Sequence, residues 1–265
     1  MTSKKYFISP LALLILAGFS LPASSFQPLI TDDTGTQGTG GNQIELSLDQ
    51  ERTKVSGEIE RVQTFPMVYT RGLTDTIDVF AGFSFAKVRP AAPGGDVSGN
   101  GNPSVGVKWR FYENEETGSS FAIKPELVFP VSNSREKSGL GTGKLSGNLN
   151  FIFTQEVPFG AVHFNAGIGN ERYRDSQSNP NATLRRASIA PVWDVSEQWK
   201  LALDLGVESS RADGDTVHSK FVEFAAIYSP EKDIELAFGA IRASDNQSPK
   251  STTHTATAGI TWRFQ

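Results

Sequence analysis

Cysteine is absent from all 265 residues. That excludes disulfides, thiolate metal sites, cysteine nucleophiles and a lipidated N-terminal cysteine. Histidine is scarce, at three residues, so a His-rich metal site is not expected, and neither metal nor cofactor is implied. An excess of basic charge is also missing. The formal net charge of −4 offers no electrostatic footprint for nucleic acid. Long apolar runs are missing beyond the N-terminus: nothing approaches the roughly 18 residues a transmembrane helix requires. No helical periodicity of useful length occurs either. If this chain resides in a membrane, it does so as strands.

The N-terminus reads as a secretory signal peptide over residues 1–25. Lys4 and Lys5 supply a positive start, "LALLILAGF" (residues 11–19) an apolar stretch, Pro22 a break and "ASS" the small residues for cleavage. The apolar run is too short to span about 30 Å of hydrocarbon, which argues against a membrane anchor.

What the chain does have is alternation. In "SVGVKWRFY" (104–112), Val105, Val107, Trp109 and Phe111 alternate with Gly106, Lys108 and Arg110. Strand side chains point to opposite faces with period two, so this segment has one apolar and one charged face. The pattern recurs in "QIELSLDQE", "TIDVFAGFSF" (where Phe80 breaks it), "FAIKPELVF", "LSGNLNFIF", "VHFNAGIG", "WKLALDLGVE", "IELAFGA" and "TATAGITWRF". Segments 58–70, 183–195 and 218–228 have strand composition with blurred alternation. The expectation is an all-β chain of about twelve strands, with ten or fourteen as alternative counts. Pro66, Pro125 and Pro191 fall inside proposed strands, where β-bulges are expected.

The connections alternate long and short. "RPAAPGGDVSGNGNPS", "SNSREKSGLGTG", "RDSQSNPNA", "SSRADGDT" and "RASDNQSPKST" are the longer ones; "ENEETGS", "EVPFG", "VSEQ" and "SPEKD" are the shorter. Short periplasmic turns and long outer loops are the habit of a transmembrane β-barrel. A barrel started from the periplasm places Trp109, Trp193, Trp199 and Trp262 at one level, the periplasmic rim, where Trp favours the membrane interface. The predicted architecture is therefore an antiparallel up-and-down transmembrane β-barrel over residues 44–265. Residues 26–43 precede it as a periplasmic lead-in or partial plug, the loosely ordered lead-in being the commoner case. The apolar faces meet lipid and the charged faces enclose the lumen.

Four stretches, "QPLITDDTGTQGTGGNQIELSL" (27–48), "GLTDTIDVFAGFSF" (72–85), "NPSVGVKWRFYE" (102–113) and the terminal "AGITWRF", resemble the phenol meta-pathway degradation family of bacterial outer-membrane "transporter" proteins. The resemblance covers the whole mature chain. It implies an outer-membrane β-barrel that passes hydrophobic or aromatic compounds, and it brings no catalytic residues. One departure is that Phe264 is followed by Gln265, where outer-membrane barrels commonly end on the aromatic residue that assists insertion. The expected partners are outer-membrane lipid, the barrel-assembly machinery through the C-terminal strand, and a small solute.

Parity turns Lys108, Arg110, Lys124, Lys200 and Arg263 into the lumen, all in the periplasmic halves of their strands, together with Glu126 and Asp204. These charges either form a constriction that biases passage toward anions, as charged rings do in channels, or pair across the lumen and fill it. Catalytic motifs are thin. "DTG" at residues 33–35 has no second carboxylate to work with. "GTGKL" at 141–145 lacks the first glycine and the Ser/Thr of a phosphate loop. His218 and His254 fall near the outer rim, but a neighbour in sequence such as Ser219 points to the opposite face. No enzyme is expected. Three functions follow: a passive channel for small solutes, a structural or surface barrel with a filled lumen, and a secreted β-sandwich that binds a ligand.

Overall fold

The computed structural model describes residues 28–91, 95–177 and 179–265; the expected signal peptide lies outside them. The strands are β1 (Asn42–Val55), β2 (Glu58–Gly72), β3 (Ile77–Arg89), β4 (Val97–Asn100), β5 (Ser104–Asn114), β6 (Ser119–Val128), β7 (Ser146–Val157), β8 (Gly160–Glu171), β9 (Ala182–Asp194), β10 (Trp199–Ala212), β11 (Asp215–Glu231), β12 (Ile234–Asp245) and β13 (Ser251–Phe264). All pairings are antiparallel. β13 pairs with β1 from Asn42↔Phe264 to Val55↔Ser251 and closes the sheet. Twelve strands form the barrel. The extra one, β4, is bonded to the outer part of β3, while β5 pairs only with its inner part, Ile77–Gly82. A single closed sheet excludes the β-sandwich.

The barrel is inside out relative to a soluble protein. Outward positions carry exposed Leu46, Phe83, Leu127, Leu149, Leu201 and Phe238. Inward positions carry buried Glu45, Asp78, Lys108, Lys124, Asp204 and Glu223. Exposed apolar surface on this scale has no place in water. A closed barrel that leaves no strand edge unpaired is the sheet that hydrocarbon admits.

Two local expectations are corrected. No bulge occurs at Pro66, Pro125 or Pro191. Each interrupts one ladder and pairing resumes in the same register, as from Gly106↔Glu126 to Trp109↔Ile123 around Pro125. A proline's missing N–H removes a bond toward one neighbour only, and the other ladder of each strand runs through: Pro125, for example, pairs with Leu149. The register shifts lie elsewhere, between Arg110 and Tyr112 in β5 and between Tyr228 and Glu231 in β11, where Pro230 sits.

The outer connections are also not uniformly long. β1–β2 and β10–β11 close in two-residue turns, Ser56–Gly57 and Asp213–Gly214, with all four φ values positive, between 48° and 93°. That is the backbone of a primed hairpin turn, whose twist matches the flanking strands.

Phe80, the residue that broke the alternation, points inward. Its ring lies over its cross-strand partner Gly106, where an added Cβ would meet Phe80 Cζ at 2.3 Å. Phe221 covers Gly206 in the same way. At the outer end, the β6–β7 connection carries a short helix, α1 (Asn133–Lys137). Its Glu136 accepts hydrogen bonds from the backbone N–H (2.7 Å) and guanidinium (2.9 Å) of Arg174 in the β8–β9 loop.

Candidate functional site

The lumen is occupied by the chain's own N-terminal segment. Residues 29–39 cross it and touch strands on opposite walls. Leu29, 1 % exposed, sits among the small inward side chains Ala190, Val192, Ala202 and Ala225. The Thr31 hydroxyl lies 2.7 Å from both Ser188 Oγ and Asp204 Oδ1, and its N–H donates to Asp204 Oδ2 at 2.7 Å. The Asp32 N–H donates to Asn165 Oδ1 at 3.0 Å, and Asn165 Nδ2 returns a bond to the Asp32 carbonyl at 2.7 Å. Thr34 meets Thr154 and Ser120, and the Gln37 N–H donates to both Asp78 oxygens. The segment thus lies inside the barrel, bonded to its inner wall. Serine, threonine, asparagine and carboxylate side chains on the inner wall meet backbone groups that would otherwise be orphaned in the barrel.

The centre of this network is Asp32. Lys108 Nζ donates to its Oδ1 at 2.9 Å, and Lys124 Nζ to its Oδ2 at 2.8 Å. All three side chains are buried, at 2–8 % exposure. Lys108 also donates to the carbonyls of Asp33 and Gly35, and Lys124 lies 4.9 Å from the centre of the Phe80 ring. Two neighbouring strands, β5 and β6, therefore aim two ammoniums at one carboxylate, and β3 sets the Phe80 ring against one of them. "DTG" serves here as a turn: the Gly35 N–H donates to Asp33 Oδ1 at 2.6 Å.

The remaining predicted charges are also paired. Arg110 meets Glu113 (3.0 Å) and the Asp75 carbonyl (3.1 Å). Arg263 meets Glu235 (2.8 Å) and Gln43 (2.9 Å). Lys200 meets Asp194 at the rim (2.9 Å). Glu126 accepts from Asn148 Nδ2 at 3.1 Å, and Asp204 holds Thr31. Parity placed these residues inside. It did not reveal that the decisive partner is Asp32, or that Thr31, Thr34, Ser188 and Asn165 belong to the site. The only sequence signal was the density of Thr and Asp in "TDDTGT", directly before the first strand.

At the exit of the plug, Asp75 in the β2–β3 turn accepts from the Thr39 hydroxyl at 2.6 Å and the Thr39 N–H at 3.0 Å. These two bonds, the hydroxyl foremost, hold its carboxyl below the ordinary carboxylate value.

Space remains around the segment. A periplasmic-side cavity of about 240 Å³ is lined by Asp33, Gln37, Glu45, Asp78, Glu235 and Arg263. A smaller one of about 60 Å³ lies beyond Asp32, against Lys124, Asn150 and Arg186. On the lipid-facing outside of the wall, a separate groove of about 1060 Å³ runs over β2–β8, lined by outward Val79, Val105, Leu127, Leu149 and Ile168.

Outside, Trp193, Trp199 and Trp262 lie at the ends of β9, β10 and β13 on the side of the short turns, while Trp109 lies five residues before the end of β5; all four are 37–48 % exposed. Each has an aromatic neighbour: Trp109 has Phe111, Trp193 has Phe159, Trp199 has Tyr228 and Trp262 has Phe264. Phe121, Phe151, Phe153 and Phe164 extend the band across β6–β8 with ring centroids 4.7–5.9 Å apart.

The sequence matches, over residues 31–264, the family model described as "Putative MetA-pathway of phenol degradation". No curated protein matches it. Among solved structures, the COG4313 outer membrane channel from Pseudomonas putida F1 superposes with a TM-score of 0.72 at 14 % identity, covering 88 % of this chain and 98 % of that one. The transport unit of the autotransporter AIDA-I from Escherichia coli gives 0.56 at 10 % identity, covering 96 % and 97 %. The CymD monoaromatic hydrocarbon channel gives 0.52 at 9 % identity, covering 86 % and 90 %. At these identities the likeness is one of fold.

Proposed function

We propose, from the premise that this chain belongs to the phenol-degradation MetA-pathway family, that it is a passive outer-membrane channel for small hydrophobic or aromatic solutes. The observation that carries the reading is the inverted barrel: apolar outward, charged inward, and crossed by a segment that narrows the lumen without filling it. The family description and the hydrocarbon-channel title of one fold neighbour support the solute class.

Passage is limited where Asp32 meets Lys108 and Lys124. Arg110, Lys200, Arg263, Glu126 and Asp204 set the charge of the approaches. Trp109, Trp193, Trp199 and Trp262 seat the periplasmic rim of the barrel in the lipid interface. The surrounding partner is outer-membrane lipid, and β13 is the strand presented to the assembly machinery. The role is that of a conduit, and no chemical step is assigned to it.

A second reading, a surface barrel with a closed lumen, is favoured by the pairing of Lys108, Lys124, Arg110, Lys200 and Arg263 with carboxylates. Planar-bilayer recording separates the two. Stepwise conductance from the purified protein supports the channel. Silence from both the wild type and a variant lacking the Asp32 charge overturns it in favour of the closed barrel.

A further inference from the structure

The outer wall separates charge by sign. In the outer halves of the strands, no Asp or Glu among the described residues alternates onto the outward face; Glu51, Glu60, Glu171, Glu208 and Asp245 all alternate inward. Basic side chains stand at outward positions there instead. Four arginines and one histidine stand directly opposite one another along a single rung. Arg89 on β3 faces Arg61 on β2, Arg61 faces Arg52 on β1, Arg52 faces His254 on β13, and His254 faces Arg242 on β12. All five are exposed.

At about 4.8 Å per strand the rung is roughly 19 Å wide. The next outward row holds Lys87, Gln63, Gln50, Ala256 and Ala240, and the row below that is apolar throughout: Phe85, Phe65, Leu48, Ala258 and Phe238. Only Arg89 has an acidic partner, Asp96, which it shares with Lys87. Among the described residues the other four have none.

Like charges set directly opposite in a sheet repel. A run of them at the edge of the apolar belt calls for an anion that is itself held at that level. We infer that this rung is a docking surface for the phosphate groups of an anionic glycolipid of the outer leaflet, of the lipopolysaccharide type. The inference rests on the outer-membrane placement proposed above. Guanidinium groups match phosphate oxygens in pairs, and their methylene stems lie along the apolar wall. A membrane anion confined to the interface neutralises several strands at once, which a free ion does not.

The test uses the mature barrel refolded in detergent free of lipopolysaccharide, titrated with bis-phosphorylated lipid A. The readouts are binding and the melting of the heat-modifiable band. The wild type is expected to bind and to melt higher, with the effect strongly reduced by salt. The triple variant Arg52→Gln, Arg61→Gln, Arg242→Gln is expected to fold at least as well without lipid and to bind on the order of 100-fold more weakly. Lys232→Gln, in the turn at the opposite end, is expected to bind like the wild type.

Equal binding by the triple variant overturns the inference. So does equal stabilisation by dephosphorylated lipid A or by inorganic phosphate alone. A barrel that conducts but ignores lipid A removes the rung and leaves the channel. One that binds lipid A but passes no current removes the channel and leaves the rung.

Discussion

Replacing Asp32 with asparagine tests the plug at its centre. The substitution keeps the shape of the side chain and the backbone bonds to Asn165, and removes one negative charge from between two buried ammoniums, Lys108 and Lys124. Breaking a buried ion pair by deleting one partner costs about 3–5 kcal/mol, because the remaining charge is neither solvated nor paired. At 1.4 kcal/mol per factor of ten, the ratio of inserted to withdrawn segment falls roughly 100- to 1000-fold or more. Leu29, Thr31 and Thr34 still hold the segment, so the expected phenotype is flickering between a low and a high conductance level, with protease cleavage within residues 29–39 from the periplasmic side. The triple variant Asp32→Leu, Lys108→Met, Lys124→Met removes the buried carboxylate with both its ammoniums, leaving the partly exposed Asp33, 3.7 Å from Lys108, to solvent; it is expected to close again, since apolar groups of similar size replace such sets at little cost. Wild-type conductance and protease resistance in Asp32→Asn would refute the electrostatic latch. A triple variant as leaky as the single would show that charge is not what holds the plug.

Three further outcomes follow from the same contacts. Leu29→Ala leaves a void beneath Ala190, Val192, Ala202 and Ala225; undocking should become easier by about 2–5 kcal/mol, visible as faster cleavage of the segment in the folded barrel. Asp75 has a depressed carboxyl pKa in the folded state, so its contribution is fully present above the ordinary carboxylate value near 4 and is lost as pH falls through its own lower value. Conductance noise should therefore rise below about pH 4 in the wild type and lose that dependence in Asp75→Asn. Leu127→Arg places a cation on the apolar outer wall, where Leu127 is 50 % exposed; folding into lipid vesicles should weaken by about 2–4 kcal/mol if that position lies near the mid-plane. Vesicle folding unchanged by that substitution would move the belt elsewhere.

Much of the barrel was legible residue by residue. The face of Lys108, Lys124, Glu126 and Asp204 follows from counting by two along a strand. The expectation failed where a rule was applied too broadly. Proline in a closed sheet does not demand a bulge: Pro66, Pro125 and Pro191 each interrupt a single ladder in register. "ADGD" lies within a longer polar stretch, but its Asp-Gly between alternating segments is a strong hairpin signal. The band of Phe121, Phe151, Phe153 and Phe164 was hidden because each residue looked like ordinary strand filling.

By itself the sequence determined sidedness. Alternation is a local property, repeated strand after strand, and a chain with this pattern has one low-energy way to separate oil from water. Only the tertiary structure decided what occupies the interior. Asp32 meets Lys108 and Lys124 across 76 and 92 residues, and Thr31 meets Asp204 across 173. Those meetings depend on barrel diameter, strand stagger and the path of one short segment, none of which leaves a period in the sequence.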